Sequence, residues 1–377
     1  MKAPVSALFL QTSNAGVAHY RIHAWALAAH RMKSFYSFAP WFDKTLTQTH
    51  PWEVDLDDSI QRRRLLGELN EHVQKADVVV SQMVHTRAAL TVLEGMKAMY
   101  KIPLVTEIDD NMLSTPLYNP ASAVYGQGSH FRALAIEQFR MSDALVVSTH
   151  YLKEVYSEFC PNIYVVPNSL DFRVWDNLRH KRNKDVIRIG WAGGASHDED
   201  LRIIEPVVHK ILAKHPTVRF CFVHGIPDFL RNIERVETVS DFTRIDRYPQ
   251  FLASRGFDIG IAPLVDNAFN RGKSNLRWLE YSGLKVPTVA SKVGHFAETI
   301  TQESDGLLCE TEKDWFDSLS FLISDENARR KMGKNANQTA RKKFNVDVNI
   351  MGYREALDEV AARGQVVKIA EVVEASA

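Results

Sequence analysis

The hydrophobic positions of the chain fall into two alternating kinds of segment. Short, continuous Val/Ile/Leu-rich runs at 6–10, 78–81, 104–108, 144–148 and 164–166 end in polar or turn residues. Longer amphipathic stretches lie among them, over 18–31, 59–75, 86–100 and 130–141. A continuous apolar run, rather than an in-out alternation, is what a parallel strand needs when helices cover both faces of its sheet. Strand and helix patterns in alternation therefore predict an α/β fold with a doubly wound parallel sheet.

The rhythm stops at the basic stretch Arg179-His180-Lys181-Arg182-Asn183-Lys184 and then restarts. Runs at 186–191, 218–223, 258–262, 288–290 and 307–309 read as a second set of strands, with helices over 200–214, 275–281 and 315–324. The chain is thus expected to form two Rossmann-like domains, 1–168 and 187–345, joined by a linker at 169–186. Residues 346–377 are expected to add a C-terminal helix and tail that pack back toward the N-terminal domain. A length of 377 residues suits that division, since one core rarely serves much more than about 250 residues.

Composition narrows the function classes. The 46 basic and 46 acidic side chains cancel, which removes the global basic surplus of a typical nucleic-acid binder. An apolar content of 45% with 24% charged residues belongs to a globular chain rather than a disordered one. Cys160, Cys221 and Cys309 are widely spaced and form no Cys-x-x-Cys pair, so reduced, partly buried thiols are expected and no metal site. The run ending at Leu10 gives way to Gln11-Thr12-Ser13-Asn14 without a cleavage-like pattern, so it reads as a buried first strand. No run of roughly 18 apolar residues is present, and a cytoplasmic protein is expected. Basic pieces such as Arg62-Arg63-Arg64, the 179–184 run and the 328–343 segment could still touch an anionic membrane surface.

Open α/β sheets bind ligands beyond the carboxyl ends of their strands, so the loops after predicted strands are the places to search. The segment 270–287 follows the strand at 258–262, opens on Gly272-Lys273-Ser274, turns helical through Asn275, Leu276 and Arg277, and closes at Gly283. A helix start beside Gly and Lys suits a diphosphate, because free amides and an ammonium both oppose its charge. Lys273, Arg277 and Glu280 are spaced to share a helix face, with Glu280 placed to accept hydrogen bonds from ribose hydroxyls. The same set would also suit a solvated ion-pair face. The spacing is not that of a Walker A loop, whose first glycine is missing. After the first strand, Gly16 allows close backbone approach, with His19 and Arg21 following. Asp109 and Asp110 follow the 104–108 strand; such a pair can orient hydroxyls, act as a base or hold a cation, and either one can equally cap a turn. After the 186–191 strand come Gly193, Gly194 and His197.

These pieces together resemble the GT-B glycosyltransferases, specifically the retaining, family-4-like group. The resemblance lies in 258–264 with 273–291, in Val165-Val166-Pro167-Asn168-Ser169-Leu170-Asp171, and in Ile189-Gly190-Trp191-Ala192-Gly193-Gly194, and spans about two thirds of the chain. It implies two Rossmann-like domains facing a cleft and transfer of a sugar from a nucleotide-diphosphate sugar, a UDP-sugar by expectation, to an acceptor hydroxyl. It further implies retention of anomeric configuration, no cofactor and no essential metal. Gly16, Gly193, Gly194, Lys273, Ser274, Asn275, Leu276, Arg277 and Glu280 would hold the donor nucleotide and diphosphate. His19, Asp109 and Asp110 would be the catalytic candidates, Asp109 standing where the family frequently has a histidine facing the donor sugar.

Two departures stand out. Of the family's two glutamates with seven residues between them, Glu280 matches the second, but Gly272 occupies the first position. The basic residues common soon after the first donor-domain strand are replaced by Ala195-Ser196-His197-Asp198. A nucleotide-sugar epimerase and a catalytically degenerate nucleotide- or sugar-binding protein are the rival readings. The acceptor stays open among a glycan, a lipid-linked glycan, a protein and a hydroxylated nucleic-acid base.

Overall fold

The computed structural model describes residues 5–12, 16–33, 36–38, 58–180, 182–183, 185–194, 197–225, 228–240 and 244–375, with the side chains of 36–38 and 365–375 excepted. The chain folds as two compact units. Unit 1 comprises Met1–Asp110, Gln127–Pro167 and Val346–Ala377; unit 2 comprises Asn111–Gly126 and Asn168–Asn345.

Unit 1 carries a six-stranded sheet of β1 (Ser6–Leu10), β2 (Tyr36–Phe38), β3 (Val78–Gln82), β4 (Leu104–Ile108), β5 (Ala144–Val147) and β6 (Ile163–Val165), in the order β2-β1-β3-β4-β5-β6. Every pairing is parallel. The continuous apolar runs are explained by the two faces of that sheet. Ala7, Phe9, Val78 and Val80 point into a core shared with Trp25 and Ile22 from the first helical stretch and with Ile350, Tyr353 and Leu357 from the C-terminal helix. Leu8, Leu10 and Val79 point the other way, onto Leu65 and Leu69 of the helix Ser59–Val73 and Leu90 and Leu93 of the helix Arg87–Tyr100. The helices start where short polar side chains meet exposed amides. Asp58, Thr86, Ser129 and Thr149 are N-caps whose oxygens accept from backbone N–H groups one turn on.

A buried ion pair ties unit 1 together. The Arg21 guanidinium donates to both Glu107 carboxylate oxygens, at 2.8 and 3.2 Å, and to the Val166 carbonyl at 2.7 Å. The Tyr353 hydroxyl donates to the same carboxylate at 3.0 Å. Arg21, singled out in the sequence as a loop residue of the first strand, is therefore structural: it is fully buried and spends its donors inside the unit.

Unit 2 carries β7 (Ile187–Ala192), β8 (Val218–Val223), β9 (Val236–Val239), β10 (Ile259–Ala262), β11 (Thr288–Ser291) and β12 (Leu307–Cys309), all parallel, in the order β12-β11-β10-β7-β8-β9. Edge strands β2 and β9 were not evident from the apolar pattern. Across β7 and β10, Gly190 pairs with Gly260. A Cβ on Gly190 would strike the Phe257 ring at 2.2 Å, and one on Gly260 the Tyr281 ring at 2.3 Å. Tyr281 lies over β10 and its hydroxyl donates to the Gly190 and Ile261 carbonyls at 3.3 Å each.

The unit boundaries differ from the sequence expectation in two places. Asn111–Gly126, expected within the first domain, belongs to unit 2, because Asn111 donates to the Ala268 carbonyl at 3.0 Å and the Tyr118 hydroxyl accepts from Asn267 at 2.8 Å. The stretch read as a linker also belongs to unit 2. Leu170 donates its amide to the Phe344 carbonyl, and Trp175 packs against Gly283. The two basic runs meet there: His180 and Arg182 line a cavity of about 710 Å³ with Lys285, Arg330, Lys334 and Arg341. Carboxylates of Asp258, Glu326 and Asp176 pair with three of those cations. The helix Glu326–Lys343, which contains the basic 328–343 segment, buries Met332, Ala336 and Ala340 on one face. All three cysteines are free and buried.

Removing one partner of the buried pair should cost far more than trimming its periphery. Arg21→Ala is expected to lower unfolding stability by about 3–5 kcal/mol, and Tyr353→Phe by about 1 kcal/mol. Urea denaturation checks both, and a loss under about 1 kcal/mol for Arg21→Ala would contradict the assignment.

Candidate functional site

In each sheet the strand order reverses once. The reversal lies between β1 and β3 in unit 1 and between β7 and β10 in unit 2. Loops leaving adjacent strands at such a point turn opposite ways and open a crevice at the carboxyl edge. The candidate loops after β7 and β10 flank the reversal in unit 2, and the loop after β1 flanks that in unit 1.

In unit 2 the loop after β10 leads through the short helix Ala268–Arg271 and a turn at 272–275 into the helix Leu276–Gly283. Lys273 therefore lies in the turn, three residues before the helix that carries Arg277; the expected three-residue face reduces to Arg277 and Glu280 on the helix. Gly272 closes the short helix, its amide donating to the Phe269 carbonyl. The turn is held from several sides. Asn168, from the 165–171 segment, donates to the Ser274 hydroxyl at 2.8 Å, and the buried Asn275 side chain donates to Thr299 at 3.2 Å. Asn275 thus supplies no side-chain cap to the helix it precedes, and the amide-rich end beginning at Leu276 keeps its partial positive charge uncovered by a side chain. Tyr281 and Trp278 fix the helix body, the indole of Trp278 donating to the Asp305 carbonyl at 2.9 Å.

The two cations lie on aromatic rings. The Lys273 ammonium is 4.5 Å from the Phe269 ring centre, and the Arg277 guanidinium 4.9 Å from that of Trp191. Arg277 and Gly193 adjoin: a Cβ on Gly193 would come within 2.7 Å of both terminal guanidinium nitrogens. One of those nitrogens, Nη1, is buried without a hydrogen-bond partner. The Gly193 amide, expected to face a diphosphate, instead donates to the Val223 carbonyl at 3.2 Å, so it extends the β7–β8 pairing and is not available. Gly194 lies in open space, with nothing within 4 Å of where a Cβ would stand.

His197, one turn further on, is oriented by a carboxylate. Its Nδ1 lies 2.7 Å from Asp200 Oδ2, while Asp200 Oδ1 accepts from the Val265 amide and from Asn270, each at 2.8 Å. Burial comes first in pushing the imidazole pKa down to about 4; Arg277 and Lys273 push the same way and Asp200 opposes. His197 is thus neutral near neutral pH, with Nδ1–H on Asp200.

A second cluster, at the end of β8, was missed in the sequence. His224 stands in the left-handed region at φ 68°, and its ring stacks on Phe251 at 5.5 Å with 3° between planes. Tyr248 adjoins it and donates its hydroxyl to Glu280 Oε2 at 3.3 Å. Glu280 is buried. Only the His-Gly pair directly after a strand signalled this position, since Tyr248 and Phe251 come from a helix more than twenty residues later.

In unit 1, Gly16 begins the first helical turn with open space beside it. His19 opens a π-helical turn, His19–His23, and its ring meets Tyr20 and His23 edge-on at 5.0 and 5.7 Å. Such wide turns recur at functional positions. Asp109 and Asp110 are half-buried at the end of β4; their carbonyls accept from the Ser148 and Tyr156 hydroxyls, which fixes the backbone of the pair. Among the described residues no group of three or more His, Cys, Asp or Glu side chains could hold a metal ion. No helix among them is long and apolar enough to cross a membrane.

Residues 276–339 match the family model described as glycosyl transferases group 1, and they begin at the helix that carries Arg277 and Glu280. The fold as a whole matches solved GT-B structures. The chain has the GT-B fold. Anabaena Alr3699/HepE, solved in complex with UDP, superposes with a TM-score of 0.63 at 14% identity, covering 94% of this chain and 100% of that one. The UDP-forming α,α-trehalose-phosphate synthase of Burkholderia xenovorans gives 0.62 at 10% identity, covering 94% and 99%. Sucrose-phosphate synthase of Thermosynechococcus elongatus gives 0.57 at 13%, covering 99% and 100%. No curated protein sequence matches the chain.

The depressed histidines give the protein a definite acid response. His197 in the folded state stays neutral down to about pH 4, and His23, held down by burial and then by His19, to about pH 3. The unfolded chain takes up these protons near pH 6.5, so it binds more protons below that pH, and stability falls as pH drops through the window from 6.5 to 4. His197 alone is expected to contribute about 2 kcal/mol of that loss by about pH 5. His197→Gln should flatten the decline by that amount in denaturation curves recorded from neutral to about pH 5; an unchanged slope would show that the imidazole is not held neutral.

Proposed function

We propose that this protein is a glycosyltransferase that takes a nucleotide-diphosphate sugar, a UDP-sugar, at the loops of unit 2 and passes the sugar to an acceptor hydroxyl. The observation that carries the donor assignment is the uncapped helix start at Leu276 with Lys273 and Arg277 beside it, within the segment matched by the family model. The solved neighbour crystallised with UDP, and again with UDP-glucose, supports the choice of nucleotide.

In this reading the bond from the anomeric carbon to the diphosphate oxygen breaks, and negative charge gathers on the leaving diphosphate. The helix amides, the Gly194 amide, Lys273 and Arg277 face that charge in fixed positions, which lowers the barrier because little reorganisation is needed when it develops. These cations support departure without an essential metal and without a cofactor. Glu280, held by Tyr248, accepts from the ribose hydroxyls, and the His224–Phe251 stack offers an aromatic surface nearby. Ser274 and Asn275 shape the turn rather than contact the phosphates. Retention of configuration, through departure and attack on one face of the sugar, belongs to the proposal, as do His19, Asp109 and Asp110 as the catalytic and acceptor-side candidates and Gly16 as a point of close backbone approach. The acceptor classes open to this site are glycans, lipid-linked glycans, proteins and hydroxylated nucleic-acid bases. The basic cavity around Lys285 and Lys334 supports a cytoplasmic enzyme with peripheral contact to anionic surfaces.

Calorimetry with UDP and release of nucleoside diphosphate from a panel of nucleotide sugars test the reading. Lys273→Ala and Glu280→Ala are each expected to weaken UDP about tenfold or more, the loss of one charge-assisted contact. Unchanged affinity in both variants would refute the donor site, and tight binding with no turnover across broad donor and acceptor panels would refute the transferase reaction.

A further inference from the structure

We propose that His197 is a proton-dependent ligand of the donor diphosphate, neutral in the empty protein and protonated at Nε2 when the diphosphate is bound, with Asp200 stabilising the imidazolium. The inference rests on the donor reading above and adds a residue and a proton to it.

The tautomer follows from how Asp200 is occupied. Its Oδ1 accepts from the Val265 amide and the Asn270 side chain, and its Oδ2 is 2.7 Å from His197 Nδ1. A carboxylate accepts only, so Nδ1 must carry the hydrogen and Nε2 the lone pair. Among the described residues Nε2 has no hydrogen-bond partner; the residue is 8% exposed and its ring meets Trp191 edge-on at 5.8 Å. An oriented imidazole with its far nitrogen left open is arranged for a ligand. In the neutral form, however, Nε2 cannot donate to a phosphate oxygen.

The charges around the ring decide when it can. From the turn and the helix that follow β10 come Lys273 and Arg277, both unfavourable to a proton on His197. From its own helix comes Asp200, favourable, with Asp198 and Glu199 beside it; Tyr118, from the 111–126 segment, feels Asp200 and Glu199. A diphosphate seated against Lys273 and Arg277 offsets the two charges that oppose protonation, and adds an acceptor for the new N–H. Asp200 then acts on the imidazolium with less opposition. Binding of the donor and uptake of one proton become a single linked event.

The test uses the whole protein and UDP-glucose, whose diphosphate is doubly esterified and does not titrate near neutral pH. Calorimetry at about pH 6 in buffers of differing ionisation enthalpy should reveal uptake of a substantial fraction of a proton per site. Affinity should rise about tenfold from about pH 8 to about pH 6. His197→Gln should abolish the uptake and hold affinity at the weaker, alkaline level, while His197→Lys, charged throughout, should restore tight binding with no pH dependence. A merely structural His197 would not be rescued in that way. Wild-type binding without proton uptake, or uptake that persists in His197→Gln, would overturn this inference and leave the donor reading standing. No binding of UDP-glucose at any pH would overturn both.

Discussion

A sheet made only of parallel strands brings every strand end out along one edge, and the rest of this molecule is organised by that constraint. Both faces must then be covered, which is why Ala7 and Phe9 serve one core while Leu8 and Leu10 serve another. The chain has to return to the opposite edge after each strand, and the return helices supply those covers. Chemistry is left to the loops at the carboxyl edge. In unit 2 the constraint is refined by two facing glycines: Gly190 and Gly260 admit the rings of Phe257 and Tyr281, and Tyr281 then sets the helix that carries Arg277 and Glu280 over β10.

Zero net charge proves compatible with strong local fields. Lys273 and Arg277 rest on Phe269 and Trp191, whose ring faces attract a cation. The cations of the basic cavity are treated differently, three of them meeting carboxylates. Asp200 is the connecting element of the loops at the carboxyl edge of unit 2. One carboxylate joins the strand end at Val265, the short helix through Asn270, and the imidazole of His197, so the loops after β7 and β10 hold one another in place.

Periodicity made the fold largely legible. Ten of the strands announce themselves as apolar runs, because a doubly covered strand has no polar face to interrupt it. Strands β2 and β9 lie at sheet edges, where that requirement relaxes, and so they were not seen. The turn after β10 was legible because Gly, Lys and Ser preceding a helix carry local information. Positions that depend on distant partners were not. Arg21 looked like a ligand-facing loop residue until Glu107, Val166 and Tyr353 closed around it, and Gly193 looked free until Val223 took its amide. His224 with Tyr248 and Phe251 could only be assembled by folding.

The C-terminal helix has a consequence for how the molecule is made. Val346, Ile350, Tyr353 and Leu357 are core residues of unit 1, though more than 170 residues of unit 2 sequence precede them. On the ribosome the first sheet therefore emerges without one wall of its core and without the hydroxyl that completes the Glu107 pair, and it must wait. Unit 2 runs no further than Asn345, so all of its residues are made before that wall arrives. A nascent chain released only as far as Asn345 would hold the whole of unit 2 beside a unit 1 whose apolar strands lack that cover.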